Sequence, residues 1–310
     1  MNVLVTGGAG YIGSILVPAL LGRGDQVTVL DSFLYGQTPL LDVCHDPKLT
    51  IIRGDARDEA LIQQLIAKQD VLIPLAALVG APLCAKYPDE ACTVNVGAVE
   101  LLLKHRRAEQ RILYPNTNSG YGIGQPGVPC TEDTPLQPIS LYGRSKCQAE
   151  DVVLKAGNCV AFRLATVFGV SPRMRLDLLV NDFTFRAVND GYVVLFEAHF
   201  KRNYIHVRDV GGAFCHALDN FETMRGQVYN VGLSDANLSK LELCERIARH
   251  VPGFRFLEAP LAEDPDKRDY VVSNAKIEAT GYAPRHSIDA GIQELVKGFQ
   301  VIRRAQYSNA

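Results

Sequence analysis

Tyr142 and Lys146 stand four residues apart in Ser140-Leu141-Tyr142-Gly143-Arg144-Ser145-Lys146. On a helix that spacing puts the phenol and the ammonium on one face. A phenol with a pKa near ~10 is a poor base at neutral pH. Lowering it by about three units takes roughly 4 kcal/mol of preferential phenolate stabilisation. One adjacent cation in a partly buried site can supply an amount of that order, and Lys146 is the candidate. Tyr142 could then take a hydroxyl proton while a hydride leaves the same carbon. Thr117, in Pro115-Asn116-Thr117-Asn118-Ser119-Gly120-Tyr121-Gly122, adds a hydroxyl for the same substrate oxygen, with Asn118 and Ser119 beside it. With 12 tyrosines in the chain, one Tyr-Lys pair at this spacing is unremarkable, so its weight comes from its place after a predicted strand.

A departing hydride needs an acceptor, and the N-terminus carries a site for one. In Thr6-Gly7-Gly8-Ala9-Gly10-Tyr11-Ile12-Gly13 the glycines lie between the apolar run Asn2–Val5 and the helical pattern Ile12–Leu21. That context marks a dinucleotide fingerprint rather than an ordinary glycine-rich turn. Gly7 permits the turn, Gly10 lets the backbone near the pyrophosphate, and Gly13 lets helix and strand pack closely. Tyr11 and Ile12 share the loop, and the helix start faces the phosphates. Val27–Leu30 reads as the second strand, ending at Asp31. A carboxylate there accepts from the adenosine ribose hydroxyls and repels a 2′-phosphate, so the expected cofactor is NAD. Asp55 and Ala56 follow a third strand, Leu49–Arg53. Asp55 either accepts from an adenine amino group or shapes the turn. The fourth strand, Val71–Ala77, ends in Leu75, Ala76 and Ala77, small enough at its tip for close backbone approach. Asn95, on a helix expected over 88–107, and the Tyr142 and Lys146 side chains complete the cofactor set.

These elements alternate strand and helix through a fifth strand (Arg111–Tyr114) and a sixth (Cys159–Leu164). The fold expected is α/β: a Rossmann-like, doubly wound parallel sheet with a smaller C-terminal substrate-binding portion. The dinucleotide-binding part covers 1–170, and 171–310 is mainly substrate-binding. The chain is expected to return to the main sheet near 204–235, starting at Tyr204–Val207, where His206 reads as structural. Arg173, Arg175, Asn181, Lys201, Arg202 and Arg268 are suitable partners for a diphosphate. A last helix, Ser287–Arg304, looks like plain packing.

Bulk properties agree with that outline. The chain has 310 residues, is 47% hydrophobic and carries a formal net charge of -2. Near-neutral charge without a basic patch argues against nucleic acid as a partner. No apolar run is long enough for a membrane span, and no leader segment is expected. The eight cysteines are scattered without a CxxC pair, as in reduced cytoplasmic proteins, and no metal site is expected.

Thr6 to Gly13, Asp31, Asp55, Thr117, Tyr142 and Lys146 together resemble the extended short-chain dehydrogenases/reductases, the NAD-dependent nucleotide-sugar epimerases and dehydratases. The resemblance spans essentially the whole chain, including Asn203–Val210 and Tyr229–Gly232. It implies hydride abstraction from C4 of a sugar joined to a nucleoside diphosphate. Asn181, Arg202 and Arg268 match positions that usually hold the diphosphate or nucleoside. It also implies a homodimer through helices about 88–106 and 141–157. In 4,6-dehydratases Asp-Glu follows the catalytic Thr, whereas Asn118-Ser119 follow it here, which disfavours dehydration; Ser119 likewise disfavours the Glu-dependent decarboxylases. The stretches 74–84, 114–124, 162–184 and 263–274 are similar to enzymes that oxidise C4 of a GDP-linked D-glycero-D-manno-heptose in capsule polysaccharide biosynthesis. Such enzymes hold their dinucleotide tightly and need a second oxidant. A 4-epimerase would use the same residues. A silent NAD-binding regulator would usually lack the Tyr or the Lys.

The Asp31 assignment has a direct test. In a fluorescence titration NAD should bind at least about tenfold more tightly than NADP, the equivalent of ~1.4 kcal/mol. Equal affinities would remove Asp31 from the ribose site.

Overall fold

Side-chain alternation on the central strands decides the architecture. Val3 and Val5 join one buried cluster while Leu4, between them, joins another. Strands covered on both faces are apolar throughout, as in parallel sheets. The computed structural model describes residues 1–36, 38–125, 127–259 and 268–302. Its main sheet contains β1 (Asn2–Thr6), β2 (Gln26–Asp31), β3 (Leu49–Arg53), β4 (Val71–Pro74), β5 (Arg111–Thr117), β6 (Cys159–Leu164) and, later in the chain, Gln227–Val231. The seven strands are parallel throughout. From one edge to the other, the sheet runs from Gln227–Val231 through β6, β5, β4, β1 and β2 to β3.

Helices cover both faces. Gly13–Gly22 and Val207–Asp219 place Leu16, Val17, Leu20, Val210 and Phe214 against one side. Glu59–Ile66, Ala98–His105 and Leu141–Ala156 place Ile62, Val99, Leu102, Ala149 and Val153 against the other. Asp58 caps the first of these, accepting from the N–H of Leu61. This is the expected parallel α/β sheet.

Several boundaries differ from expectation for physical reasons. β4 stops at Pro74, and residues 75–77 leave it as a loop. β5 continues to Thr117, so that residue ends a strand rather than lying in a turn. The helix expected over 88–107 runs without interruption from Pro88 to His105, with a π turn at Thr93–Gly97 inside it. Asn95 lies in the wide turn, its amide engaged with both the N–H and the C=O of Leu78. A further short helix, Ala81–Lys86, precedes it.

The rest of the chain forms smaller sheets. β7 (Thr166–Phe168) pairs in parallel with β9 (Lys201–His206), and β9 pairs antiparallel with Asn237–Ser239. β8 (Tyr192–Leu195) pairs with Arg255–Glu258. So Tyr204–His206 does not re-enter the main sheet; an apolar run looks the same in either sheet. The return is made by β10 (Gln227–Val231), beside β6. β11 (Asn237–Ser239) and β12 (Arg255–Glu258) complete the strands among the described residues. His206 is buried and caps the helix after it, its Nδ1 accepting from the N–H of Arg208. The last helix spans Ile288–Val301; its expected end at Arg304 lies outside the described residues, as do 263–267 of the stretch 263–274. No helix among the described residues is long and apolar enough to cross a membrane.

One buried ion pair ties the Tyr142 helix to the sheet. Glu150 accepts from Arg163 Nε and Nη2 at 3.1 and 2.8 Å, and from the Asn116 amide at 2.6 Å. Both charged partners are buried. Removing one partner of such a pair strands the other charge and costs roughly 3–5 kcal/mol. Glu150→Ala should lose stability in that range by urea denaturation. Glu150→Gln keeps the volume and an acceptor for Arg163, and the Asn116 amide, whose Oδ1 has no partner, can turn over, but it still strands the Arg163 charge and should lose nearly as much. A much smaller loss for Glu150→Gln than for Glu150→Ala would mean that side-chain volume, not charge, holds the helix.

Candidate active site

Strand order reverses direction at β1: the chain passes next to β2 on one side, and later places β4 on the other. In open α/β sheets the crevice at such a switch, beyond the strand ends, takes ligands. A cavity of about 1040 Å³ lies there. Gly7, Gly10, Tyr11, Ile12 and Gly13 line it, together with Leu75, Ala76 and Ala77 from the β4 end. Gly7 has φ +72°, and a Cβ there would meet the Ala76 nitrogen at 2.6 Å. A Cβ on Gly13 would meet the Gly8 oxygen at 2.5 Å, so the helix can start only this close to the turn without one. At the helix start the N–H groups of Ser14 and Ile15 bond the Gly10 and Ile12 carbonyls, while those of Tyr11, Ile12 and Gly13 make no such bond among the described residues and can face an anion.

The acid at the end of β2 lines the same cavity. Asp31 accepts from the N–H of Ala9 at 2.9 Å and of Phe33 at 2.8 Å, which fixes the carboxylate beside the glycine loop. Asp55 and Ala56 also line the cavity. The Asp55 carboxylate shapes its own turn, accepting from the Arg57 N–H at 2.8 Å and from its guanidinium at 2.6 Å. The Arg57 bond holds its pKa below the ordinary carboxylate value. A turn with no room for side chains, a helix start and an anchored carboxylate fit the two phosphates and the ribose of a dinucleotide. Asn95 is the exception in this group. It does not line the cavity, because its amide is used up on Leu78 and, at 3.1 Å, on the Ser145 hydroxyl. It ties the β4 loop to the Tyr142 helix.

Tyr142, Lys146, Thr117 and Ser119 line the opposite wall. Ser140 caps their helix, accepting from the Gly143 N–H at 3.1 Å. Thr117 Oγ1 accepts from the Ser119 N–H at 3.1 Å and donates to Ser119 Oγ at 2.9 Å. Arg268 donates to the same Ser119 oxygen. Asn118 lies outside the lining, buried, with neither side-chain polar atom bonded. Lys146 is buried, its ammonium 4.3 Å from the centre of the Tyr114 ring.

The electrostatics differ from the simple expectation that Lys146 lowers the Tyr142 phenol. Burial pushes the phenol up to about 12, and Arg175 and Arg268 pull it down only in part. Burial lowers Lys146 to about 7, against the opposing pull of Glu150. The lysine therefore sheds its charge before the phenol ionises. The cations acting on Tyr142 are the two arginines.

Arg173, Arg175, Arg202 and Arg268 all line the cavity. Arg175 pairs with Asp177 at 2.5 Å, Arg173 lies 3.9 Å over the Tyr35 ring, and Arg202 lies 5.7 Å from the Tyr270 ring centre. Asn181 does not line the cavity. Its fully buried amide bonds Gly169, Tyr11 and Arg175, so it cannot face a diphosphate in this arrangement. Lys201 does not line it either. Sequence reasoning missed Thr166, Tyr35, Lys240 and Tyr270, which do. Thr166 had a signal, a hydroxyl just past a strand end as at Thr117. The other three have only tertiary reasons to be there.

This geometry meets known proteins at several levels. The NAD-dependent epimerase/dehydratase family matches residues 3–232. A low-salt glycan biosynthesis protein of Haloferax volcanii is 30% identical, over 96% of this chain and 97% of its own. A UDP-glucose 4-epimerase of Lactobacillus helveticus is 30% identical, over 92% and 93%. The crystal structure of the Thermus thermophilus UDP-glucose 4-epimerase complex with NAD superposes with a TM-score of 0.83 at 27% identity, over 97% and 99% of the two chains. Fold, glycine turn and near full-length similarity agree, and the chain belongs to the NAD-dependent epimerase/dehydratase family of enzymes.

Proposed function

We propose that the protein oxidises C4 of a sugar carried on a nucleoside diphosphate, with Tyr142 as the base. The observation that carries this reading is that Tyr142, Ser119 and the glycine turn open onto one cavity. NAD supplies the hydride acceptor. In this reading Gly7, Gly10, Tyr11, Ile12, Gly13, Asp31, Ala56 and residues 75–77 hold it, with Asp55 at the adenine end. Ser119 accepts from both Thr117 and Arg268, so its own proton is left to hold the substrate oxygen. Thr117 thus acts through Ser119 rather than directly. Arg173, Arg175, Arg202 and Arg268 supply positive charge for the diphosphate and for the Tyr142 phenolate. The supporting relatives, one in glycan synthesis and one acting on a nucleotide sugar, point to glycan-precursor chemistry.

For the outcome of the oxidation we favour release of a 4-keto sugar, as in GDP-heptose 4-dehydrogenases. The similarity of 162–184, which carries Arg173 and Arg175 into the cavity, supports it. That outcome requires a second oxidant to restore NAD. The second reading, a 4-epimerase that returns the hydride to the other face, is favoured by the Lactobacillus helveticus relative. We also infer a homodimer built on the helices near 88–106 and 141–157.

Turnover should be measured with NAD against GDP-, UDP-, dTDP- and CDP-sugars, including a GDP-manno-heptose, with the product read by NMR. A 4-keto product matched by reduced cofactor supports the dehydrogenase; an inverted C4 centre without net reduction supports the epimerase. Tyr142→Phe should lose at least about 100-fold in turnover and still bind NAD; retained turnover would remove Tyr142 as the base.

Lys146 predicts a pH effect on stability. Its folded pKa of about 7 lies below the ~10.4 of an unfolded lysine. Between those values the unfolded chain holds a proton that the folded chain lacks. Unfolding free energy attributable to this group therefore rises with pH across that window and is lost as pH falls through it. Denaturation curves from pH 6 to 10 should show a more positive slope for the parent than for Lys146→Met. Superposable slopes would mean that the ammonium is solvated.

A further inference from the structure

The segment 169–175 carries Arg173 and Arg175 into the cavity, yet few of its anchors lie in the small sheets around it. They lie in the glycine-rich turn, at the start of the first helix and at Asn181 on the helix Leu179–Asn189. The Tyr11 phenol donates to the Gly169 carbonyl at 2.7 Å and accepts from the Asn181 amide at 3.2 Å. The same amide nitrogen donates to the Arg175 carbonyl at 2.9 Å, and Asn181 Oδ1 accepts from the Gly169 N–H at 3.0 Å. Asn181 thus grips both ends of the segment, and Tyr11 fixes that grip to the turn. The middle is held from the same side. Ser171 donates to the Tyr11 carbonyl at 2.8 Å, and its hydroxyl lies 2.7 Å from that of Ser14. Tyr35, from the loop after Asp31, covers the Arg173 guanidinium.

We propose that Tyr11 is a positioning residue: through its hydroxyl and Asn181 it places the segment 169–175, so that the glycine-rich turn sets where the substrate-side arginines stand. That the arginines face a substrate diphosphate rests on the function proposed above; their placement by Tyr11 does not. The polar groups involved are buried, where a satisfied network has one favoured geometry and a broken one leaves stranded donors. Burial also raises the Tyr11 phenol, which keeps its proton as a donor at physiological pH. A residue holding only its own loop would be indifferent to 169–175. The bonds at Gly169 and Asn181 cross more than 150 residues of sequence to reach it.

Tyr11→Phe keeps the ring in the core and deletes only the hydroxyl. Deleting the hydroxyl removes both of its bonds, and a net loss of at least roughly 1 kcal/mol corresponds to about fivefold or more. Amide hydrogen exchange by mass spectrometry, on the full chain without ligand, should accelerate by about that factor in peptides covering 169–182. Peptides covering 207–219 should be unchanged. With saturating NAD, calorimetric affinity for UDP or GDP should fall by a similar factor. Unchanged exchange at 169–182, an equal rise throughout the chain, or faster exchange with undiminished nucleotide affinity would each overturn the proposal. A parent protein that binds neither UDP nor GDP would sink the nucleotide-sugar reading instead, and the exchange result would still decide the role of Tyr11.

Discussion

The closeness of two loops constrains the rest of the site. Where β1 ends, the Gly7 turn runs so near the β4 end that a Cβ would sit 2.6 Å from the Ala76 nitrogen. A side chain there would push the strands' exits apart or turn the loop into the crevice. One step on, Gly13 lets the first helix begin against Gly8, at the mouth of the cavity. The turn's own N–H at Ala9 then fixes the carboxylate that ends β2. So three separate elements, β1, β2 and the first helix, are placed by the backbone of one turn. Through Tyr11 and Ser14 the same turn reaches across to 169–175.

Burial of Lys146 and partial burial of Tyr142 set the charge state of their wall. Lysine and tyrosine ordinarily titrate within about half a unit of each other. Burial moves them apart, Lys146 down to about 7 and Tyr142 up to about 12. The pair with one proton can be neutral phenol beside neutral amine, or phenolate beside ammonium. The gap between the two values favours the neutral pair strongly. Helical spacing alone therefore does not make Tyr142 a base; the pair needs further positive charge next to the phenol. Within the chain that charge comes from Arg175 and Arg268. Asp177 partly neutralises the first, and Ser119 orients the second. The arginines that serve a diphosphate in the proposed reaction are thus also the groups that set the acidity of its base.

What was legible in the sequence follows from distance along the chain. Thr6–Gly13, Asp31 and the Tyr142–Lys146 pair are local patterns whose geometry a strand or helix dictates, and all of them reach the cavity. Asn95 and Asn181 differ from the expectation because a buried amide is defined by partners that lie as far as 170 residues away. The same residue type serves as a ligand contact or as a clamp, and only the packed chain says which. β9 was placed in the main sheet because alternation and burial do not name the neighbouring strand. The π turn at Thr93–Gly97 had no propensity signal; it lies where Asn95 bonds Leu78.

The two positions after Thr117 bear on which reactions of the family the cavity can support. Elimination of water from a 4-keto sugar needs a group to remove a proton next to the carbonyl and another to protonate the leaving oxygen. Asn118 cannot serve as either, since an amide neither gains nor loses a proton near neutral pH, and it is buried outside the lining. Ser119 does line the cavity, but its oxygen already accepts from Thr117 and Arg268. Two donors on one hydroxyl oxygen leave it a proton to give in a hydrogen bond and little capacity to take one. Such a group suits the holding of a hydroxyl or carbonyl oxygen while charge changes on it, which is what hydride removal at C4 requires. In the proposed reaction the chemistry then ends at the ketone or runs back across it, and neither course asks anything more of Asn118 and Ser119.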